Sequence, residues 1–136
     1  KDMESMFDGA LTFNQPLDDW DTSAVINASW VFHGAKSFNQ PLSQWDMSNV
    51  ETMEKMFQEA ESFNQPLDNW NISNVQTFDY MFQEAPRFNQ NLCSWEDQLN
   101  KSSDVVSVLN MFDKSGCDIT QDPSLQNNGW CQECTG

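Results

Sequence analysis

Basic side chains are scarce. Six Lys and Arg stand against 21 Asp and Glu, a net charge of −15 over 136 residues. Nucleic acid demands a basic surface, so no nucleic-acid partner is expected. The same charge argues against docking on anionic membrane. No run approaches the roughly 18 apolar residues of a spanning helix, so no membrane insertion is expected. No signal peptide is recognisable and Lys1 falls inside a repeat, so the chain reads as a mature or excised portion of a larger chain or complex. Histidine occurs once, at His33, in a polar column shared with Asp8, Gln58 and Gln83, and reads as a solvated surface residue. No Ser/His/Asp or Cys/His set and no Gly-rich phosphate loop can be assembled. The expectation is a non-enzyme without cofactor.

Aromatic residues are plentiful, with ten Phe and six Trp but one Tyr. A disordered acidic tail would lack them, so the composition describes an acidic surface around an aromatic interior. Periodicity then organises the chain. Phe-Asn-Gln-Pro-Leu begins at Phe13, Phe38 and Phe63, and Phe-Asn-Gln-Asn-Leu at Phe88, a step of 25. Trp20, Trp45, Trp70 and Trp95 keep that step, as do Phe7, Phe32, Phe57 and Phe82, and Ala10, Ala35, Ala60 and Ala85. The phase slips by five residues within 96–102 and resumes at Ser103, Val105, Val108, Met111 and Phe112.

One unit reads as two elements. Met53, Met56, Phe57 and Ala60 fall on one face of a helix, and Ser48 with Glu51 matches an S-x-x-E capping box, which predicts a helix over 49–60. Pro66 cannot lie inside a helix, so 63–70 should be extended, turn-like or a short strand. A lone unit orders 25 backbones at about 1–2 kcal/mol each and cannot recover that from its few apolar side chains. Stacking recovers it, with identical positions forming ladders. Asn14, Asn39, Asn64 and Asn89, and Gln15, Gln40, Gln65 and Gln90, should form amide ladders. The expected fold is an α/β repeat solenoid of about five 25-residue coils, each a short helix plus an extended or short-strand segment. Its helices should be convex, since helices pack about 8–10 Å apart and strands about 4.8 Å apart. The repeats should span 1–116 (units near 3–27, 28–52, 53–77, 78–107 and 108–116), with a Cys-stapled C-terminal cap at 117–136.

Ser48-Asn49-Val50, Met53, Met56-Phe57, Ala60, Phe63-Asn64-Gln65 and Trp70 resemble the unit of the BspA-like leucine-rich-repeat-like surface proteins. The similarity is to the 25-residue subtype first noted in mycoplasma lipoproteins, and it covers about residues 1–116. Ala28 and Val31 depart from both Met positions of the motif, and Phe78 from one, all by apolar exchange. The resemblance implies a cell-surface or secreted setting and a role in adhesion or protein contact.

Cys93, Cys117, Cys131 and Cys134 cluster where the repeat ends and read as disulfides that staple the cap. Of three possible pairings, Cys93 with Cys117 and Cys131 with Cys134 is favoured. Cys131-x-x-Cys134 offers half a zinc-site spacing, without the second close pair a Cys₄ site needs. Nor does it open a helix after a strand, as a redox-active pair would. Asp18, Asp19, Asp21 and Asp46 invite a calcium reading, yet neighbouring units offer Gln44, Asn69 and Asn71, so a solvated face is expected and no metal site. Sequons occur at Asn27, Asn71 and Asn100, and Asn100, in the insertion, is the foremost glycosylation candidate. The column Ser5, Trp30, Lys55, Tyr80 and Asn110 lies opposite the buried stripe. Trp30 and Tyr80, expected about 20 Å apart on the convex side, are candidate partner contacts, with simple packing as the alternative. The expected function is an extracellular or cell-surface scaffold for a protein or glycan partner. The alternative is a structural accessory subunit fixed in a larger assembly.

Overall fold

The computed structural model describes residues 1–101, 104–124 and 129–135. Residues 25 apart in sequence lie over one another along the repeats. Parallel bridges run Asp2–Asn27–Thr52–Thr77–Ser107, one contact per coil. The rings of Phe7, Phe32, Phe57 and Phe82 stack with centroids 5.4–5.5 Å apart, and Phe112 continues the column at 5.8 Å. Phe13, Phe38, Phe63 and Phe88 form a second column at 5.9–6.0 Å.

The α/β solenoid with one helix per repeat is overturned. Among the described residues, regular structure is confined to one helix, α1 (Cys93–Leu99), and a two-stranded antiparallel hairpin, β1 (Gly129–Trp130) and β2 (Gln132–Glu133). The segment 49–60 is a run of turns. Amides of Met56, Gln58 and Ala60 close local turns on the carbonyls of Met53, Lys55 and Phe57 at 3.1–3.2 Å. The alternate amides of Met53, Lys55, Phe57 and Glu59 cross to Thr77, Asp79, Met81 and Gln83 of the next coil at 2.9–3.1 Å. Helices could not approach that closely, since they pack about 8–10 Å apart. Without helices the wedge between two element spacings vanishes, and the expected curvature loses its basis. The capping box also dissolves: Ser48 Oγ donates to Asp46, and Glu51 exchanges backbone bonds with Ile26 and Gln76 of the adjacent coils.

The apolar face read from the sequence is nevertheless buried. Met53, Met56, Phe57, Ala60 and Phe63 are fully enclosed. The phase slip falls in and just after α1, whose Gln98 donates to the Trp70 carbonyl at 3.0 Å and accepts the Ile72 amide at 2.8 Å, tying the helix to the coil before it. Ser103, where the pattern was expected to resume, lies outside the described residues.

All four cysteines are paired, as Cys93–Cys134 and Cys117–Cys131. The favoured pairing is therefore corrected. Cys131 sits at the hairpin tip between paired Trp130 and Gln132, with φ 70°. The tip carries it to Cys117, while Cys134 passes β2 and reaches Cys93 at the start of α1. The hairpin closes the stack: Trp130 is buried and its carbonyl accepts the Leu92 amide. Gln132 Nε2 meets the backbone and side-chain oxygens of Asn89 at 3.4 and 3.0 Å, taking the place that Gln90 takes on Asn64. Two disulfides suit an oxidising compartment. No helix among the described residues is long and apolar enough to cross a membrane.

Candidate contact surface

The turn ribbon places two residues of each coil in the left-handed region. One column is Ser5, Trp30, Lys55, Tyr80 and Asn110, at φ 49–62°. The other is Gly9, Gly34, Glu59, Glu84 and Lys114, at φ 55–67°. A turn closed by an i→i+3 bond with φ > 0 at its third residue returns the chain sharply and turns that side chain away from the flanking buried pair. For residues other than glycine this costs roughly 1–2 kcal/mol each. Bulky aromatics are uncommon there.

The first column is the one singled out for recognition, and its members are closer than expected. Lys55 Nζ lies 4.2 Å from the Trp30 ring centroid and 5.5 Å from that of Tyr80. Two rings on one ammonium cannot stand 20 Å apart; that figure came from helix spacing. Glu54 approaches the same ammonium at 3.6 Å. Trp30, Lys55 and Tyr80 are each half-buried, so the rings and the cation between them stay partly open to solvent. His33 meets Trp30 edge-on at 4.6 Å and binds Asp8 Oδ1 at 2.7 Å, half-buried rather than freely solvated. In the second column Lys114 pairs with Glu84 at 3.0 Å, and that bond raises the lysine pKa.

The amide ladders form. The amides of Asn39, Asn64 and Asn89 donate to the side-chain oxygens of Asn14, Asn39 and Asn64 at 2.9–3.1 Å. Gln40 and Gln65 bridge to the same oxygens at 3.1 and 3.0 Å. A further ladder escaped sequence reasoning: the indoles of Trp45, Trp70 and Trp95 donate to the carbonyls of Leu17, Leu42 and Leu67 one coil back, at 2.8, 2.9 and 3.1 Å. The constant Leu-x-x-Trp spacing was its available signal.

The acidic residues shape turns. Asp21 and Asp46 each accept the amide and hydroxyl of Ser23 and Ser48, at 3.0 and 2.6 Å in both cases. Those hydroxyl bonds, then the amide bonds, hold both carboxyls below their ordinary pKa. Asn71 makes the same two bonds to Ser73. Asp18 accepts the Gln44 amide at 2.8 Å. Among the described residues no three His, Cys, Asp or Glu converge in metal-binding geometry.

The sequons differ in access. Asn27 is half-buried, with Nδ2 on Glu4 at 3.2 Å, and its Ser29 is buried against Thr52 at 2.8 Å. Asn71 is exposed. Asn100 is exposed at the end of α1, while Ser102 of its sequon lies outside the described residues. An open groove of about 500 Å³ lined by Ile26, Asn49, Glu51, Asn74, Gln76 and Asp104 runs across successive coils without histidine or cysteine.

A family model described as "Mycoplasma protein of unknown function, DUF285" matches residues 1–123. No curated protein and no solved structure matches the chain.

Proposed function

Since the chain belongs to DUF285, a family of Mycoplasma proteins of unknown function, we propose that it is a non-enzymatic contact module at the cell surface or outside the cell, presenting a fixed side-chain array to a protein or glycan partner. The observation that carries this reading is the Trp30–Lys55–Tyr80 column. Two aromatic rings flank one cation on a backbone held by inter-coil hydrogen bonds. Trp and Tyr on preorganised backbone bind at low entropic cost and dominate contact energies elsewhere. Residues kept in a costly conformation with bulky side chains point toward a use for those side chains. The non-enzymatic reading is supported by the four cysteines, all held in disulfides, and by the one histidine, which is bound to Asp8. The disulfides and the resemblance to BspA-like surface proteins support the extracellular setting.

Asn110 shows that asparagine occupies this column at φ 49°. A Trp30→Asn, Tyr80→Asn chain therefore removes the rings with little backbone penalty. Both chains would be applied to a glycan array and to immobilised extracellular-matrix proteins. The reading expects binding to at least one surface and about a tenfold or greater loss in the double variant at an unchanged fold. No binding on either panel, or equal binding by the variant, contradicts it.

A further inference from the structure

The two ends of the stack are finished differently. At the C-terminal end Trp130 and Gln132 cover the fourth coil. The opposite end leaves the interior columns uncovered. Trp20 is 40% exposed where Trp45, Trp70 and Trp95 are 0–4%, and Met6 is 48% exposed where its equivalents Val31, Met56 and Met81 are fully buried. Phe7 and Phe13, whose equivalents are fully buried, are half-buried and stacked on each other at 4.4 Å.

Hydrogen bonding on this face is as specific as its shape. In the second coil the carbonyls of Asn27, Ser29, Val31 and His33 accept amides from the first. Their counterparts, Asp2, Glu4, Met6 and Asp8, accept none from the described residues. The Trp20 indole likewise lacks the Leu carbonyl that each later Trp finds.

We infer that the face formed by Phe7, Phe13 and Trp20 is a docking surface for one further coil of this same repeat, set in register above Lys1. The interface is continuous with the coil–coil contacts already present. It calls for amides at alternate residues, an Asn side-chain oxygen over Asn14, a Leu carbonyl over Trp20 and rings over Phe7 and Phe13, which is the chemistry of the 25-residue unit. A second copy of the chain fits less well. Its last coil does offer amides at Val108, Asn110, Phe112 and Lys114, yet Phe112 is already fully buried and Gly116-Cys117 replaces the next aromatic segment. Such docking would also continue the Asp8 column with Asp113, between molecules of charge −15. The inference is independent of the proposed contact role.

The test extends the chain by a copy of residues 26–50 joined directly before Lys1, which keeps the step of 25. Hydrogen exchange of the Trp20 indole and the Asn14 amide is read by NMR. A control extension carries serine in place of the Phe32, Phe38 and Trp45 equivalents. Both protons should slow by about tenfold or more with the intact copy alone, toward the values of Trp45 and Asn39. Equal exchange with both extensions overturns the inference. So does concentration-dependent protection of Trp20 in the unextended chain with sedimentation as an oligomer, which would assign the face to a second copy.

Discussion

The indole of Trp70 donates to the carbonyl of Leu42 at 2.9 Å, across 28 residues of sequence and one coil of the stack. Both groups are buried, so the bond locks the register of two coils from inside. Trp70→Phe keeps an aromatic ring and leaves the carbonyl without its donor, a loss of about 1–3 kcal/mol. Trp20→Phe, at an exposed ring without such a partner, should cost less than about 1 kcal/mol. Midpoints of urea unfolding measure both. Equal costs would contradict the indole ladder.

The left-handed columns predict opposite signs for glycine exchanges. Glu59, at φ 57°, shares its column with Gly9 and Gly34. Glu59→Gly should be neutral or stabilise by up to about 1 kcal/mol, because relief of backbone strain outweighs the added freedom of the unfolded chain. Gly34→Ala should cost about 1–2 kcal/mol although the site has room, the nearest atoms being 3.8 Å from an added Cβ. Thermal melts of the two variants decide it, and a destabilising Glu59→Gly beside a harmless Gly34→Ala contradicts the ribbon.

Much of the interior was legible in the sequence, and the secondary structure was not. Identical residues at a step of 25 told which side chains meet, and Met53, Met56, Phe57, Ala60 and Phe63 are buried as their spacing indicated. The same spacing suits a helix and a row of turns, because each returns the chain inward every three or four residues. The overlooked discriminator was the column in which Gly9 and Gly34 stand with Glu59 and Glu84. That Trp30, Lys55 and Tyr80 share a column was legible, while its compactness was not, since Lys55 links Trp30 and Tyr80 only at turn-ribbon spacing. Cysteine pairing depended on the hairpin at Cys131, which no periodicity announced.

Acid should weaken the turns at Asp21 and Asp46. Hydrogen bonds from Ser23 and Ser48 lower both folded-state pKa values from 3.8. A depressed folded pKa contributes stability that is present above the unfolded value and lost as pH falls through the folded one. The double variant Asp21→Asn, Asp46→Asn should flatten the melting profile below about pH 4, because Asn71 shows that the amide keeps both bonds. Comparison with the parent chain removes the shared effect of neutralising other carboxylates. An unchanged acid limb contradicts the assignment.

The non-reduced chain, digested and mapped by mass spectrometry, should give Cys93–Cys134 and Cys117–Cys131 peptides. The loops span 41 and 14 residues. Replacing either pair by serine should cost about 3–4 kcal/mol by loop closure. A Cys131–Cys134 peptide would contradict the cap.

Stacking in register is most directly tested by NOE spectroscopy on a chain with labelled phenylalanine rings. Phe38 stands 5.9 Å, centroid to centroid, from both Phe13 and Phe63. Cross-peaks from the Phe38 ring to both neighbours, with no run of helical contacts across residues 53–60, are the predicted result. A continuous helical series there, or a Phe38 ring that sees neither partner, would contradict it.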